Sequence, residues 1–260
     1  METNNKVRGS TDEREVVVEV RNVTKIYRIG TERIVALDGV SLKIYKGEFC
    51  CLLGTSGSGK STLLNAMAGI EKITKGQIFI KGKPIHRMSE TQLALFRQKN
   101  LGFVFQSYNL INSMTALENV TLPLIFKNVS KGVRIKKAKK MLEEVGLKKR
   151  MRHRPSQMSG GQQQRVGIAR AFVANPDVVF ADEPTGNLDS KTTSEILALM
   201  KKISEENDKT IIVVTHDQSL TDYADRVIRI HDGQIINVSE RGADGALCVV
   251  EENKQQEEKV

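Results

Sequence analysis

Glu48-Phe-Cys-Cys-Leu-Leu53 reads as one short strand, and it runs straight into Gly54-Thr-Ser-Gly-Ser-Gly-Lys60-Ser61. A helix-forming stretch, Ser61 to Ala68, follows at once. Strand, glycine-rich loop and helix in this order are the setting in which a backbone can cradle phosphate. Gly54, Gly57 and Gly59 let amide groups turn toward an anion, and the helix directs its positive end at the same point. Thr55, Ser56, Ser58 and Thr62 complete the candidate cradle. Lys60 brings a mobile positive charge to the β- and γ-phosphates of a nucleotide, and the Ser61 hydroxyl suits Mg²⁺.

A second apolar run, Val178-Val-Phe-Ala181, ends on Asp182-Glu183. Asp182 is placed to hold Mg²⁺ through its water shell, and Glu183 to orient or deprotonate an attacking water. Further strand-like runs at Gln77 to Ile80, Leu101 to Phe105, Thr210 to Thr215 and Arg226 to Ile230 favour a layered α/β domain. Upstream, Val16 to Ile26 and Ile34 to Ile44 predict an antiparallel sheet with a turn at Gly39. Helical patterns at Ala116 to Phe126 and Lys136 to Val145 mark a helical subdomain over 107–161. The expected organisation is a flexible 1–15, a domain over 16–238 and a polar, mostly unstructured tail over 239–260.

The 260 residues carry 40 Lys and Arg against 31 Asp and Glu, a formal charge of +9 that suits anionic partners without choosing among them. No apolar run reaches the roughly 18 to 20 residues that span a bilayer, and residues 1–15 lack a signal-peptide core, so a cytoplasmic location is expected. Cys50, Cys51 and Cys248 have no ligand-spaced histidine pair beside them and read as buried thiols. The basic runs Lys136 to Lys140 and Lys148 to Arg154 read as a solvated face, with proximity to anionic headgroups as the alternative. No nucleic-acid recognition module accompanies them, and no nucleic-acid partner is expected.

Met158-Ser-Gly-Gly-Gln162 resembles the signature of the ATP-binding cassette ATPases, with Met158 where leucine is commonest. The resemblance spans Val16 to about Ile236. It implies a phosphate-loop cassette core with an antiparallel β subdomain and a helical subdomain carrying the signature. It also implies ATP and Mg²⁺ as cofactors and a head-to-tail dimer, in which Ser159, Gly160, Gly161 and Gln162 of one copy contact the nucleotide held by the other. Within the same resemblance, Gln106 senses Mg²⁺ or the attacking water, and His216 contacts the γ-phosphate and organises Glu183. Asp189 lies in a loop that crosses the dimer interface, although it also suits a helix cap. Tyr27 looks like the adenine-stacking aromatic, with core packing as the alternative.

Phe103-Val-Phe-Gln-Ser-Tyr-Asn-Leu-Ile-Asn112, Leu117-Glu-Asn-Val-Thr-Leu-Pro-Leu124 and Ala181-Asp-Glu-Pro-Thr-Gly-Asn-Leu-Asp189 are similar to the lipoprotein-release and macrolide-export subgroup. That likeness implies an ATPase at the cytoplasmic face of a membrane, held there by a separate permease with an extracytoplasmic domain. Pro123, Leu124 and Phe126 are the candidate groove for the permease. Two other classes are weighed: a soluble ATPase of DNA maintenance, and a nucleotide-controlled scaffold for a cell-envelope complex. The interval from Lys60 to Ser159 has no room for the long coiled coil of the first, and intact Glu183 and His216 weigh against permanent inactivity in the second.

Overall fold

The computed structural model describes residues 14–252. The expected flexible N-terminus lies outside them except for Arg14 and Glu15. In chain order the elements begin with strands β1 (Val16–Ile29), β2 (Glu32–Tyr45) and β3 (Phe49–Leu53), then helix α1 (Lys60–Met67), β4 (Lys75–Ile80), β5 (Lys83–Pro84), α2 (Glu90–Asn100) and β6 (Leu101–Phe105). Helices α3 (Ala116–Phe126), α4 (Lys131–Glu144) and α5 (Gly160–Phe172) follow, then β7 (Val178–Asp182), α6 (Ser190–Asn207), β8 (Thr210–Thr215), β9 (Arg226–His231), β10 (Gln234–Arg241) and β11 (Leu247–Glu252).

Two sheets share the core. The larger has the order β11-β10-β9-β3-β8-β7-β6, and the smaller the order β2-β1-β4-β5. β3, β6, β7, β8 and β9 pair in parallel, as strands joined through helices must. Alternation along the central strands splits the core in two. Phe49, Cys51, Val179, Ala181, Ile211 and Val213 face α3 to α6, whereas Cys50, Leu52, Val178, Phe180, Ile212 and Val214 face α1, α2 and the smaller sheet. Period-2 geometry turns a continuous apolar run into two buried faces at once. Cys50 and Cys51 are buried as expected, but Cys248 is exposed on β11, an edge strand exposed along most of its length.

The antiparallel sheet is present with one revision. β2 runs through Gly39 instead of breaking there. Gly39 sits at φ 63, beside a slip in register between the Val23–Val40 and Lys25–Leu37 pairs, so it absorbs a bulge and not a turn. The hairpin turns at Gly30-Thr31, with Gly30 at φ 61. The helical subdomain is α3, α4 and the start of α5, packed through Val120, Leu124, Ala138, Leu142 and Val166. α4 starts at Lys131, ahead of the expected Lys136.

The tail expectation is corrected for the part described. β10 continues to Arg241 and β11 pairs with it antiparallel at the sheet edge. β11, Leu247-Cys-Val-Val-Glu-Glu252, is exposed along most of its length, and Arg241 pins the hairpin, donating to the carbonyls of Ala224 at 2.9 Å and Thr221 at 2.6 Å. Residues 253–260 lie outside the described part. Among the described residues, no helix is long and apolar enough to cross a membrane.

Candidate active site

Parallel register brings the chemistry to one edge. Leu53 of β3 pairs with Thr215 of β8, Asp182 of β7 pairs with Val214, and Phe105 of β6 pairs with Asp182. The residues that follow these strand ends are Gly54, His216, Glu183 and Gln106, so four segments far apart in sequence converge at the carboxyl edge of the sheet.

The loop between β3 and α1 requires its glycines. A Cβ on Gly54 would lie 2.2 Å from the carbonyl oxygen of Ile230, and one on Gly59, at φ 97, would lie 2.4 Å from that of Ala36. Gly57 takes φ 80 at the tip of the turn. Lys60 Nζ donates to the Thr55 carbonyl at 2.5 Å and to Ser58 Oγ at 3.4 Å, so its ammonium is folded over the cradle. Burial lowers the Lys60 pKa, and the nearby Glu183 and Asp182 carboxylates oppose that shift.

Ser61 Oγ donates to Asp182 Oδ1 at 3.1 Å. A hydroxyl and a carboxylate meeting above the phosphate loop form an all-oxygen donor pair, which fits Mg²⁺. Burial raises the Asp182 pKa, against the Ser61 hydrogen bond. Next to it, Glu183 holds a left-handed backbone at φ 43, with its amide donating to the Val214 carbonyl at 2.9 Å. That turn lifts the side chain off the strand, where Glu183 Oε1 and His216 Nδ1 are 2.9 Å apart. A cavity of about 480 Å³ opens beside the pair, lined also by Gly186, Ser190, Thr215 and Asp217.

Gln106 lies over Gly186, where a Cβ would come within 2.6 Å of Gln106 Nε2, and Asn187 Nδ2 donates to the Gln106 backbone carbonyl at 3.1 Å. Sequence reasoning did not single out Gly186 and Asn187 for this contact. The available signal was their place within Gly186-Asn-Leu-Asp-Ser190. Asp189 caps α6, accepting from the Thr192 amide at 3.0 Å and hydroxyl at 2.7 Å, which lowers its pKa. Tyr27 is half-buried at the end of β1, with its hydroxyl toward Glu71 and Thr62, next to the phosphate loop and outside the core.

The signature hydrogen-bonds within its own helix. Ser159 caps α5 in a reciprocal box, its Oγ accepting from the Gln162 amide at 3.3 Å while Gln162 Oε1 accepts from the Ser159 amide at 3.2 Å. Among the described residues, no hydrogen bond joins Ser159, Gly160, Gly161 or Gln162 to the phosphate loop of the same copy. Some 690 Å³ of mostly apolar groove opens elsewhere, lined by Phe103, Phe105, Pro123, Phe126 and Arg170. Pro123 and Phe126 therefore stand where the groove was expected, but Leu124 does not. It is 2 % exposed and points into the subdomain core, because a helix buries residues on the face opposite its groove side.

This arrangement defines a nucleotide-hydrolysing cassette, and comparison with known proteins gives its family. A model described as ABC transporter matches residues 37–186. An uncharacterised ABC transporter ATP-binding protein of Methanocaldococcus jannaschii is 50% identical over 222 residues, covering 85% of this chain and 99% of that protein. The macrolide export ATP-binding/permease protein MacB of Chlorobaculum tepidum is 48% identical over 221 residues, 85% of this chain but 34% of its own length. A dimeric ATP-binding cassette in a post-hydrolysis state with ADP and Pi superposes with a TM-score of 0.80 at 45% identity, covering 86% of this chain and 99% of that one. The chain belongs to the ABC transporter ATP-binding family and is an ATPase subunit related to the MacB-type export ATPases.

Proposed function

We propose that two copies of this chain hydrolyse Mg-ATP at the cytoplasmic face of a membrane and drive a separate permease in export or mechanotransmission. The observation that carries the reading is the division of the site. Lys60, Ser61, Asp182, Glu183 and His216 converge in one copy, while among the described residues the signature donors Ser159 to Gln162 make no hydrogen bond to the phosphate loop of the same copy. A nucleotide on the loop thus meets its remaining donors on a second copy, as the dimeric relative suggests.

Lys60 and the amides of Thr55 to Ser61 bind the β- and γ-phosphates. Ser61, Asp182 and Gln106 would hold Mg²⁺, which supplies charge neutralisation on the phosphate oxygens. Glu183 accepts the proton of the attacking water, and His216 keeps its carboxylate in place through the 2.9 Å contact. Tyr27 stacks on adenine, and Asp189 carries the state of one site across the interface. ATP closes the pair, and hydrolysis lets it reopen. The groove beside Pro123 and Phe126 receives a permease segment, so closure pulls on the membrane partner. The MacB relatives carry their permease on the same chain and favour export as the use of this cycle.

The deciding experiment copurifies the chain with its membrane partner, reconstitutes both in nanodiscs and measures Mg-ATPase against Glu183→Gln. Turnover that depends on Glu183 and rises with the partner supports the reading. A chain with no stable membrane partner and no enhancement returns the choice to a soluble cassette ATPase.

A further inference from the structure

Arg170 lies on a face of α5 that includes Gly160 and Gly167. Spacings of seven and three put all three on one side of the helix. Tyr108, two residues beyond Gln106, lies along that side. A Cβ on Gly160 would stand 2.8 Å from the Tyr108 hydroxyl oxygen, and one on Gly167 3.8 Å from the Tyr108 carbonyl oxygen. Gly160 thus leaves room for the hydroxyl end of the ring at the first turn of the signature helix, and Gly167 for the Tyr108 backbone.

The loop itself is held against its preference. Tyr108 and Asn109 take φ 61 and 48, left-handed values that non-glycine residues keep only when surrounding structure holds them. Arg170 supplies the hold, with Nη2 donating to the Tyr108 carbonyl at 2.8 Å and Nη1 to the Asn109 carbonyl at 2.5 Å. A planar fork can serve both oxygens at once, which a lysine cannot reproduce. The same side chain lines the 690 Å³ groove with Phe103, Phe105, Pro123 and Phe126. Burial in this wall lowers the Arg170 pKa, as expected for a guanidinium that has exchanged water for carbonyls.

We propose that Arg170 is a positioning residue that couples the groove to the site: a segment seated in the groove bears on its guanidinium, which sets Gln106 through the 108–109 carbonyls and Ser159 through the Tyr108 ring. Neither end of the relay contacts the nucleotide through Arg170 itself. The inference rests on the groove being the permease seat.

The test compares wild type with Arg170→Lys and Arg170→Met, alone and copurified with the membrane partner. In each preparation ATP turnover and KM are measured, and in the chain alone amide hydrogen exchange over residues 106–110. The expected result is faster exchange at 107–110 in Arg170→Lys, KM for ATP within about twofold of wild type, and a partner-stimulation ratio reduced about fivefold, the size typical of a coupling residue. Arg170→Met is expected to lower the ratio further. A purely structural role would scale basal and stimulated turnover together and leave the ratio alone. A wild type that the partner does not stimulate overturns the functional reading and the relay with it. A stimulated wild type with unchanged ratios in the variants overturns the relay alone. If Arg170→Met fails to fold, Arg170→Lys decides, and unchanged exchange at 107–110 in that variant removes the basis of the proposal.

Discussion

Glu183 occupies a backbone position that few side chains accept, at φ 43, and the contact with His216 shows what that conformation achieves. Replacing Glu183 with Gln keeps the shape and removes the base. Turnover should fall about 10²- to 10⁴-fold with nucleotide binding retained, read by phosphate release beside equilibrium binding of a fluorescent ATP analogue. A second acid matters for stability instead. Burial pushes the Glu48 carboxyl up to about 7, against the attraction of Arg226. Between its ordinary value of 4.5 and about 7, the folded chain holds a proton that the unfolded chain has released. Stability from this group is therefore fully present below that window and lost as pH rises through it. Thermal midpoints from pH 4.5 to 8 should show that loss in wild type relative to Glu48→Gln, which carries no titrating group there. Parallel curves would contradict the assignment. Glu183 was legible in the sequence because it follows an apolar strand and Asp182. Glu48 was not, since only the fold buries its carboxyl.

Three helices begin in the same way. Ser89 with Gln92, Thr115 with Glu118 and Ser159 with Gln162 each form a reciprocal capping box. At α5 the cap is also the signature serine, so the hydroxyl that accepts an amide within its own helix keeps a proton free for the trans phosphate contact of the proposed function. Ser159→Ala should cost about 1 kcal/mol of stability from the lost cap, seen in chemical denaturation. The functional loss should be larger than that, with reduced turnover at saturating ATP. Equal losses in both measurements would leave Ser159 with the cap alone. The α3 interval was readable from its pattern because its capping box and apolar run coincide. The early start of α4 and the β11 strand were not, because a basic first turn and a short edge strand exposed on both faces carry no alternating burial signal. Gly39 misled for a related reason: glycine marks a left-handed residue, and only pairing with β1 shows that the strand continues through it.

In the whole molecule, each copy carries both a phosphate cradle and a signature, and the proposed function pairs the cradle of one copy with the signature of the other. Glu183→Gln should therefore dimerise with Mg-ATP and revert with Mg-ADP, followed by light scattering behind size exclusion, while the double variant with Ser159→Glu should stay monomeric. The groove gives a companion expectation. Phe126 is 66% exposed at its rim, so Phe126→Asp should remove most partner stimulation and leave the melting temperature within a few degrees. Loss of basal turnover as well would argue that the face belongs to the fold and not to a partner. The phosphate loop, the acidic pair and the signature were determined by sequence alone, because each is a local pattern in which glycine torsions, a strand end or a helix start dictates the residue types. Only the tertiary structure decided which segments meet. Parallel register across β3, β6, β7 and β8 puts Lys60, Gln106, Glu183 and His216 at one edge, and helix packing turns Leu124 inward while Phe126 faces out. Such placements come from long-range pairing and burial, and no local window of residues contains them.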